Sequence, residues 1–176
     1  MVMRLGGPGI VRAAQSPVAS VQDAFDAFWA RDHAAVLALA AALTGDWATA
    51  EDLTQDAFGA ASRIWDEIEN PAAWVRRVVA NRAASYWRRR ARETAAFARL
   101  AARPSPVVLG REHDEFWGKV RALPRRQSQV VTLRYLDDLS ISEIAEVLDI
   151  AEGTVKATLS HARSALARSL VLEEGP

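Results

Sequence analysis

The sequence contains no cysteine, and only three of its 176 residues are histidine. Without cysteine the chain can form no disulfide, no thiolate zinc site and no cysteine nucleophile. His33, His113 and His161 are scattered along the chain. A glycine-rich phosphate loop, a G-x-S-x-G elbow and an H-E-x-x-H helix are also missing. The sequence therefore predicts no catalytic site, no metal site and no cofactor, and we expect a protein that is not an enzyme.

Long apolar runs are missing as well. No stretch of about 18 uncharged apolar residues occurs, so the sequence predicts no membrane span. Residues 1–19 contain Arg4 and Arg12 but no sustained apolar run, and we expect a disordered leader there rather than a secretory signal. The alternation of apolar and polar residues that marks strands is absent. Half of the residues are apolar, so the chain can bury a core, and we expect a soluble, cytoplasmic, helical protein.

Charge of one sign is concentrated in two blocks, although 22 basic and 22 acidic residues balance over the whole chain. Residues 44–70 carry seven carboxylates against Arg63 alone, and residues 74–103 carry nine arginines against Glu93 alone. Such asymmetry is typical of a protein with two different partners. The alternative is that the two blocks pair with each other.

Helix start and stop signals divide the first half of the chain. Gly45 predicts the end of a first helix, and Asp46 predicts the N-cap of a second. Asn70 and Pro71 predict the start of a third helix, because proline has no N–H to leave unsatisfied in a first turn. We expect this third helix to run to about Arg92.

The fold class predicted from these patterns is all-α, with two helical modules over residues 20–92 and 112–170. A flexible linker is predicted for residues 93–111, where the apolar periodicity weakens and the sequence RPSP occurs. Residues 171–176 are expected to form a short tail.

Two helices of the second module are separated by a turn of only three or four residues. A capping box at Ser140 and Glu143 begins the first, and the second is predicted from Glu152 to about Leu170. This arrangement is typical of a helix-turn-helix, whose second helix enters the DNA major groove, and the alternative is an ordinary helical hairpin. The outward face of the second helix offers side chains that can reach phosphates or base edges, namely Thr154, Lys156, Ala157, Thr158, Ser160, His161 and Arg163.

The segment NRAASYWRRRAR in the third helix combines five arginines with two aromatic rings. A helix face with cations, an amide and rings can hold the backbone of a single DNA strand and meet its unstacked bases. The alternative is a solvated arginine face with the tryptophans in the core. The side chains predicted for this single-strand face are Trp74, Arg77, Asn81, Trp87 and Arg88.

The segment AEDLTQDAF places Asp52, Gln55 and Asp56 at spacings of three and four residues, and hence on one helix face. Carboxylates at that spacing can bind a divalent ion, but the sequence offers no companion cluster of ligands. A protein-docking face fits better. Arg82 lies nearer the apolar stripe of its own helix, and we expect it to pair with a carboxylate or to extend past the apolar surface.

Three segments in register resemble the extracytoplasmic-function (ECF) sigma factors of bacterial RNA polymerase, and the actinobacterial sigma-E-type group in particular. They are LTGDWATAEDLTQDAF, PAAWVRRVVANRAASYWRRR and LPRRQSQVVTLRYLDDLSISEIAEVLDIAEGTVKATLSHARSAL. The resemblance covers roughly residues 20–170. It implies a sigma initiation factor that directs core polymerase to specific promoters. The alternative is a stand-alone helix-turn-helix regulator.

The resemblance also implies roles for the residues named above. Asp52, Gln55 and Asp56 would dock on the β′ clamp helices of core polymerase. The first module would be sigma region 2, which melts the promoter and reads the −10 element, with Asn81 beside a flipped base. The second would be region 4, whose helix-turn-helix reads the −35 element while residues 123–136 also face the β flap. Many members of the family are held inactive by an anti-sigma factor, so we expect such a partner, and we expect no membrane insertion.

Four positions depart from the family pattern. Asp149 stands where glycine is usual in the turn, although aspartate tolerates the left-handed conformation better than most residues. Ala151 stands where a capping serine is common, and loss of a cap typically costs about 0.5–2 kcal/mol. Ser160 and His161 replace large or cationic contacts, so the promoter sequence does not follow from the resemblance.

Overall fold

The computed structural model describes residues 20–96 and 111–171, and the regular structure of these residues is entirely helical. A short 3-10 turn, Trp65–Glu67, follows the second helix. The α-helices are α1 (Val21–Thr44), α2 (Trp47–Arg63), α3 (Pro71–Ala96), α4 (Arg111–Ala122), α5 (Arg125–Tyr135), α6 (Ile141–Leu148) and α7 (Glu152–Val171). The all-α prediction is confirmed. The predicted leader and tail, apart from Val171, lie outside the described residues.

Two helices extend into the predicted linker, residues 93–111, one at each end. Helix α3 continues to Ala96, four residues beyond its predicted end at Arg92, because residues 93–96 contain no proline or glycine to end it. Helix α4 already includes Arg111. Residues 97–110 lie outside the described part of the chain.

Local hydrogen bonds explain where the helices of the first module begin and end. Gly45 adopts a left-handed conformation with φ of 71°, and its N–H donates to the carbonyl of Ala41 at 2.8 Å. The carboxylate of Asp46 then accepts from the N–H of Thr49 at 2.9 Å, which caps α2. At the start of α3, the side-chain oxygen of Asn70 accepts from the N–H of Ala73 at 3.1 Å. These are the stop and cap signals that the sequence predicts.

Helices α1, α2 and α3 pack against one another around an apolar core. Phe28 and Leu39 from α1 are buried there with Phe58 from α2 and with Val75 and Val79 from α3. The rings of Phe28 and Phe58 lie 5.4 Å apart, a separation at which aromatic pairs stabilise a core. The three long helices therefore form a first module, and their buried apolar residues, the first core, are continuous with the buried residues of the remaining helices.

Helices α4 to α7 form the second module, in which α6 and α7 are the predicted helix-turn-helix. The capping box is present, since Ser140 and Glu143 each accept a hydrogen bond from the other's N–H. Hydrogen bonds from the hydroxyl and the N–H of Ser140 hold the pKa of the Glu143 carboxyl below its ordinary value. Asp149 ends α6 in the left-handed conformation, with φ of 55° and ψ of 56°. The departure from glycine noted in the sequence is thus accommodated by the aspartate itself.

The two modules are packed against each other. Helix α3 contacts α6, and α1 contacts both α4 and α5. The sequence predicts two modules and a connection between them, but it does not predict this interface. Several polar side chains named in the sequence analysis lie within it.

Candidate nucleic-acid and partner-binding surfaces

The carboxylates of α2 form an outward face. Asp52, Gln55 and Asp56 are all exposed, because the opposite side of the helix buries Ala57 and Phe58 in the first core. The carboxylate of Asp56 also pairs with the guanidinium of Arg82 on α3. The predicted pairing of Arg82 is therefore confirmed, and one contact links the acidic block to the basic block.

Arg77 of α3 caps the end of a helix in the second module. Its Nε–H donates to the carbonyl oxygen of Val147 at 3.0 Å, and its second terminal nitrogen donates to the carbonyl of Glu146. Both carbonyls lie in the last turn of α6, where the regular helical donors are missing, and the carbonyl of Glu146 also accepts from the N–H of Asp149 at 3.3 Å. A cation at a helix C-terminus is also favoured by the helix dipole. The Glu146 side chain in turn accepts from the amide of Asn70 at 2.7 Å.

Asn81 lies one turn further along α3 and is exposed. Its side-chain oxygen accepts a hydrogen bond from the guanidinium of Arg125, at the start of α5, at 2.7 Å. Desolvation, followed by the charges of Arg126 and Arg88, lowers the pKa of Arg125. Arg125, which contacts Asn81, therefore lies in the field of two other guanidinium groups, and such a cluster of positive charge attracts a phosphate backbone.

Both tryptophans that are predicted for the single-strand face make contacts within the protein. Trp74 is half-buried and packs against the first core. The Nε1–H of Trp87 donates to the carbonyl of Leu43 at 2.8 Å, although 39% of Trp87 is exposed. Trp87 and Arg88 border a largely apolar cleft of about 350 Å³ that is closed on its other side by Leu123 and its neighbours in the second module.

Helix α7 presents the predicted DNA-facing side chains on one side. Val155, Leu159 and Ala162 are buried inside the second module, so the residues between them point away from its interior. Thr158 is half-buried and the other six are exposed, namely Thr154, Lys156, Ala157, Ser160, His161 and Arg163. The Arg163 guanidinium donates to the hydroxyl of Tyr135 at 2.7 Å, and Lys156 lies 3.6 Å from Glu152. Both contacts hold cations on the outward face of the helix.

A buried charge cluster at the module interface was missed in the sequence. Arg76 of α3 donates to Asp32 of α1 at 2.8 Å and to Asp137, which follows α5, at 2.6 Å. Burial alone would lower the pKa of Arg76, but the hydrogen bonds and charges of Asp137 and Asp32 outweigh it and raise that pKa. The sequence does contain a signal, since Asp32 falls on the apolar stripe between Phe28 and Val36. A charge at such a position needs a buried partner.

Within residues 20–96 and 111–171, no group of three or more acidic or histidine side chains is placed to hold a metal ion. No helix in the same ranges is both long enough and apolar enough to cross a membrane.

Comparison with known proteins identifies both modules. Residues 28–93 match the family model for sigma-70 region 2, and residues 113–166 match the model for sigma-70 region 4. The RNA polymerase sigma-E factor of Streptomyces coelicolor is 31% identical over 145 residues, which cover 80% of this chain and 82% of that protein. The ECF RNA polymerase sigma-E factor of Escherichia coli strain K12 is 28% identical over 134 residues, which cover 65% of this chain and 70% of that protein.

A solved structure has the same architecture. The sigma factor RpoE of Bartonella quintana, in complex with the anti-sigma factor NepR, superposes with a TM-score of 0.69 at 25% identity, covering 86% of this chain and 99% of that one. Matches to both regions favour the sigma factor over the stand-alone regulator, which would need only the helix-turn-helix. The chain belongs to the extracytoplasmic-function group of the sigma-70 family and is a sigma factor for transcription initiation by RNA polymerase.

Proposed function

We propose that this sigma factor divides promoter recognition and polymerase binding among three surfaces. The docking face, Asp52, Gln55 and Asp56 on α2, binds the β′ clamp helices of core polymerase. The single-strand face on α3, which comprises Trp74, Arg77, Asn81, Trp87 and Arg88, holds the melted −10 strand. The outward side of α7 reads the −35 element in the major groove.

The observation that carries the proposal is the orientation of α7. Its buried stripe leaves six of the seven predicted DNA-facing residues exposed, and α6 is held across it by a short turn at Asp149. A helix presented in this way can enter a major groove about 12 Å wide. Lys156 and Arg163 supply positive charge for phosphates, while the shorter Thr154, Thr158 and Ser160 supply hydroxyl groups for base edges.

The single-strand face is supported by chemistry and by position. Asn81 carries two amide donors and one carbonyl acceptor, which suit a base edge that has left the stack. Arg125 contacts Asn81, and Arg88 is near enough to Arg125 for their charges to interact, so both cations can attract the phosphates of a strand held by Asn81. Trp87 contributes a partly exposed ring beside these cations, although its indole N–H is already bound to Leu43.

The partners that follow from this proposal are core RNA polymerase, promoter DNA and an anti-sigma factor. Residues 123–136, which include α5, are proposed to contact the β flap. The anti-sigma partner is supported by the structural similarity to RpoE, which was solved in complex with NepR. Because polymerase and promoter lie in the cytoplasm, the factor acts there.

A pull-down of core polymerase tests the docking face. Asp52→Arg should abolish binding, because a reversed charge at an interface can cost several kcal/mol. Asp52→Arg is easier to interpret than Asp56→Arg, because the latter also breaks the ion pair with Arg82. Asp26→Arg makes the same charge change on the exposed surface of α1 and serves as the control.

Binding to duplex DNA is measured for the same full-length variants. Loss of core binding by Asp52→Arg, with duplex binding retained, supports the assignment. Unchanged pull-down by both Asp52→Arg and Asp56→Arg would rule out α2 as the docking face.

A further inference from the structure

We infer that the apolar cleft beside Trp87 is a binding site for a small carboxylic acid with a hydrocarbon body, such as a medium-chain fatty acid. The walls of the cleft hold the hydrocarbon, and two arginines at its rim hold the carboxylate. The inference does not rest on the functions proposed above, because it depends only on the shape, burial and charge of the cleft.

The walls of the cleft are apolar on both sides. A row of four alanines on one face of α3 leaves room beside the ring of Trp87, and Leu43 and Leu123 complete the apolar lining. The volume of about 350 Å³ lies near the lower end of the range of about 300–1,000 Å³ that is usual for small-molecule sites. The cleft therefore suits a small molecule with a hydrocarbon chain or ring.

One buried polar group in the cleft has no partner among the described residues. Ser128 of α5 lines the cleft and is only 7% exposed. Its backbone carbonyl accepts from the hydroxyl of Thr132 at 2.9 Å, but its own hydroxyl forms no hydrogen bond within residues 20–96 and 111–171. The neighbouring Gln129, in contrast, donates to the carbonyl of Ala80 at 2.8 Å. Because buried polar groups are normally hydrogen-bonded, the Ser128 hydroxyl is available to a ligand.

The charged groups that border the cleft are all cations in the described part of the chain. Arg88 and Arg125 are exposed there, and their hydrogen bonds go to neutral groups. Arg88 donates to the hydroxyl of Ser85 at 2.8 Å, and Arg125 donates to the side-chain oxygen of Asn81 at 2.7 Å. An anion at this rim would therefore meet two guanidinium groups that no carboxylate neutralises.

The environment of Arg125 also favours an anion. Desolvation, followed by the charges of Arg126 and Arg88, lowers the pKa of Arg125. A carboxylate beside Arg125 would offset this repulsion, and its two oxygens match the paired N–H groups of a guanidinium. The rim thus selects an anionic ligand over a neutral or cationic one of the same shape.

The apolar walls distinguish this ligand from a nucleic acid. A phosphate backbone can reach Arg88 and Arg125 from outside, but it has no hydrocarbon part to fill the cleft. A fatty acid gains free energy for each methylene group that it removes from water. A ligand that uses both the walls and the rim must therefore combine a hydrocarbon body with an anionic end.

Octanoate is the probe, and acetate and 1-octanol are its controls. Acetate has the charge without the chain, and 1-octanol has the chain without the charge. Binding to the full-length protein is followed by the NMR signal of the Trp87 indole N–H, which is assigned with Trp87→Phe. The exposed Trp29 and Trp47 do not line the cleft, so their indole signals report non-specific binding.

The Trp87 signal should shift and saturate with octanoate, while the signals of Trp29 and Trp47 stay in place. Affinity for 1-octanol should be about tenfold lower, because the charge-assisted hydrogen bonds are lost. Acetate at the same concentration should give no shift. Absence of a shift with octanoate, or equal affinity for octanoate and 1-octanol, would overturn the inference. Equal shifts of all three signals would mean a detergent-like effect and would also overturn it.

Substitutions then test the rim and the walls separately. Arg125→Gln should lower the affinity for octanoate about tenfold, and Ser128→Ala should lower it about fivefold. Arg126→Gln, which changes an adjacent arginine outside the cleft, should leave the affinity unchanged. Ala84→Leu fills the cleft and should abolish the shift, whereas Ala60→Leu, at a half-buried position of α2, should not. Equal losses in Arg125→Gln and Arg126→Gln would show that the carboxylate is not held at this rim.

A segment of the chain itself is the other possible occupant of the cleft. Residues 97–110 include the apolar run Val107, Val108 and Leu109. The combined variant Val107→Ser, Val108→Ser and Leu109→Ser should bind octanoate with the affinity of the unsubstituted protein. If octanoate shifts the Trp87 signal only in this variant, the chain fills its own cleft and the inference fails.

Discussion

The indole Nε1–H of Trp87 donates to the backbone carbonyl oxygen of Leu43 at 2.8 Å, between residues that are 44 positions apart. Leu43 lies in the last turn of α1, where carbonyl groups have no partner within the helix. Gly45 satisfies the neighbouring carbonyl of Ala41 through its backbone N–H. Trp87 thus fastens the end of α1 to the middle of α3, and part of its role is structural.

Trp87→Phe should lower the free energy of unfolding by about 0.5–1.5 kcal/mol, because the carbonyl of Leu43 loses its donor. Trp47→Phe is the matched control. Its indole donates at 2.9 Å to the exposed Glu51 of its own helix, so its loss should cost no more than about 0.5 kcal/mol. Urea unfolding of the two variants measures both values. If the two substitutions lower the free energy of unfolding equally, the hydrogen bond to Leu43 contributes no more to stability than the exposed one to Glu51.

The turn of the helix-turn-helix offers a second stability test. Asp149 holds a left-handed conformation with φ of 55°, which costs an ordinary side chain about 1–2 kcal/mol. Asp149→Gly should therefore be neutral or stabilising, and Asp149→Ala should be about 1 kcal/mol less stable than Asp149→Gly. Thermal unfolding of the two variants measures the difference. Equal stability would show that the turn relaxes away from this conformation.

The sequence predicted the helices well where the signal was local. The cap of Asn70, the stop at Gly45 and the capping box of Ser140 each join groups a few residues apart, so short patterns specify them. The two outward faces of α2 and α7 also followed from helical spacing alone. Such features depend little on the rest of the chain.

The interface between the modules could not be predicted in the same way. Arg76 meets Asp137 across 61 positions and Asp32 across 44, and no periodic pattern relates positions so far apart. Nothing in the sequence distinguishes Arg76 from the other arginines of α3, although its guanidinium is the centre of the buried bridge. The position of Asp32 within an apolar stripe was the one available signal, and it indicated a buried partner without identifying it.

Asn81→Ala should impair open-complex formation more than the initial binding of polymerase to the promoter. The amide can meet a base only after that base has left the stack, so its contribution comes late. A pre-melted template removes the melting step, so comparison with a fully paired template separates melting of the duplex from capture of the exposed strand. The deficit should persist on both templates, because strand capture is needed in each.

The assay of Asn81→Ala needs a control for the packing of the two modules. Arg125 donates to Asn81 in the free chain, so the substitution also removes one contact between modules. The assay must therefore use assembled holoenzyme, in which the duplex-binding step reports whether region 4 still functions. Equal open-complex yield with and without the substitution would count against a base contact by Asn81.

The exposed side of α7 should contain two kinds of DNA contact that respond differently to mutation. Removing a phosphate contact at Lys156 or Arg163 should weaken binding to all duplexes about equally and reduce the salt slope by about one unit. Arg163 is held by Tyr135, and Lys156 is held more loosely by Glu152, so Arg163 is the better oriented of the two. Fluorescence anisotropy over a range of salt concentrations measures the slope for each variant.

Substitution of the neutral side chains on α7 should instead change which sequence is preferred. Thr158, Ser160 and His161 lie on the side that faces the groove, and each lost base contact should be worth about 1–3 kcal/mol of discrimination. Selection from duplexes with a random upstream element measures the preference of holoenzyme that carries each alanine substitution. Ser164→Ala, on the same exposed helix but outside the predicted face, is the control. If Ser160→Ala and His161→Ala leave the preferred upstream sequence unchanged, another side of α7 enters the groove and the assignment of the −35 face is wrong.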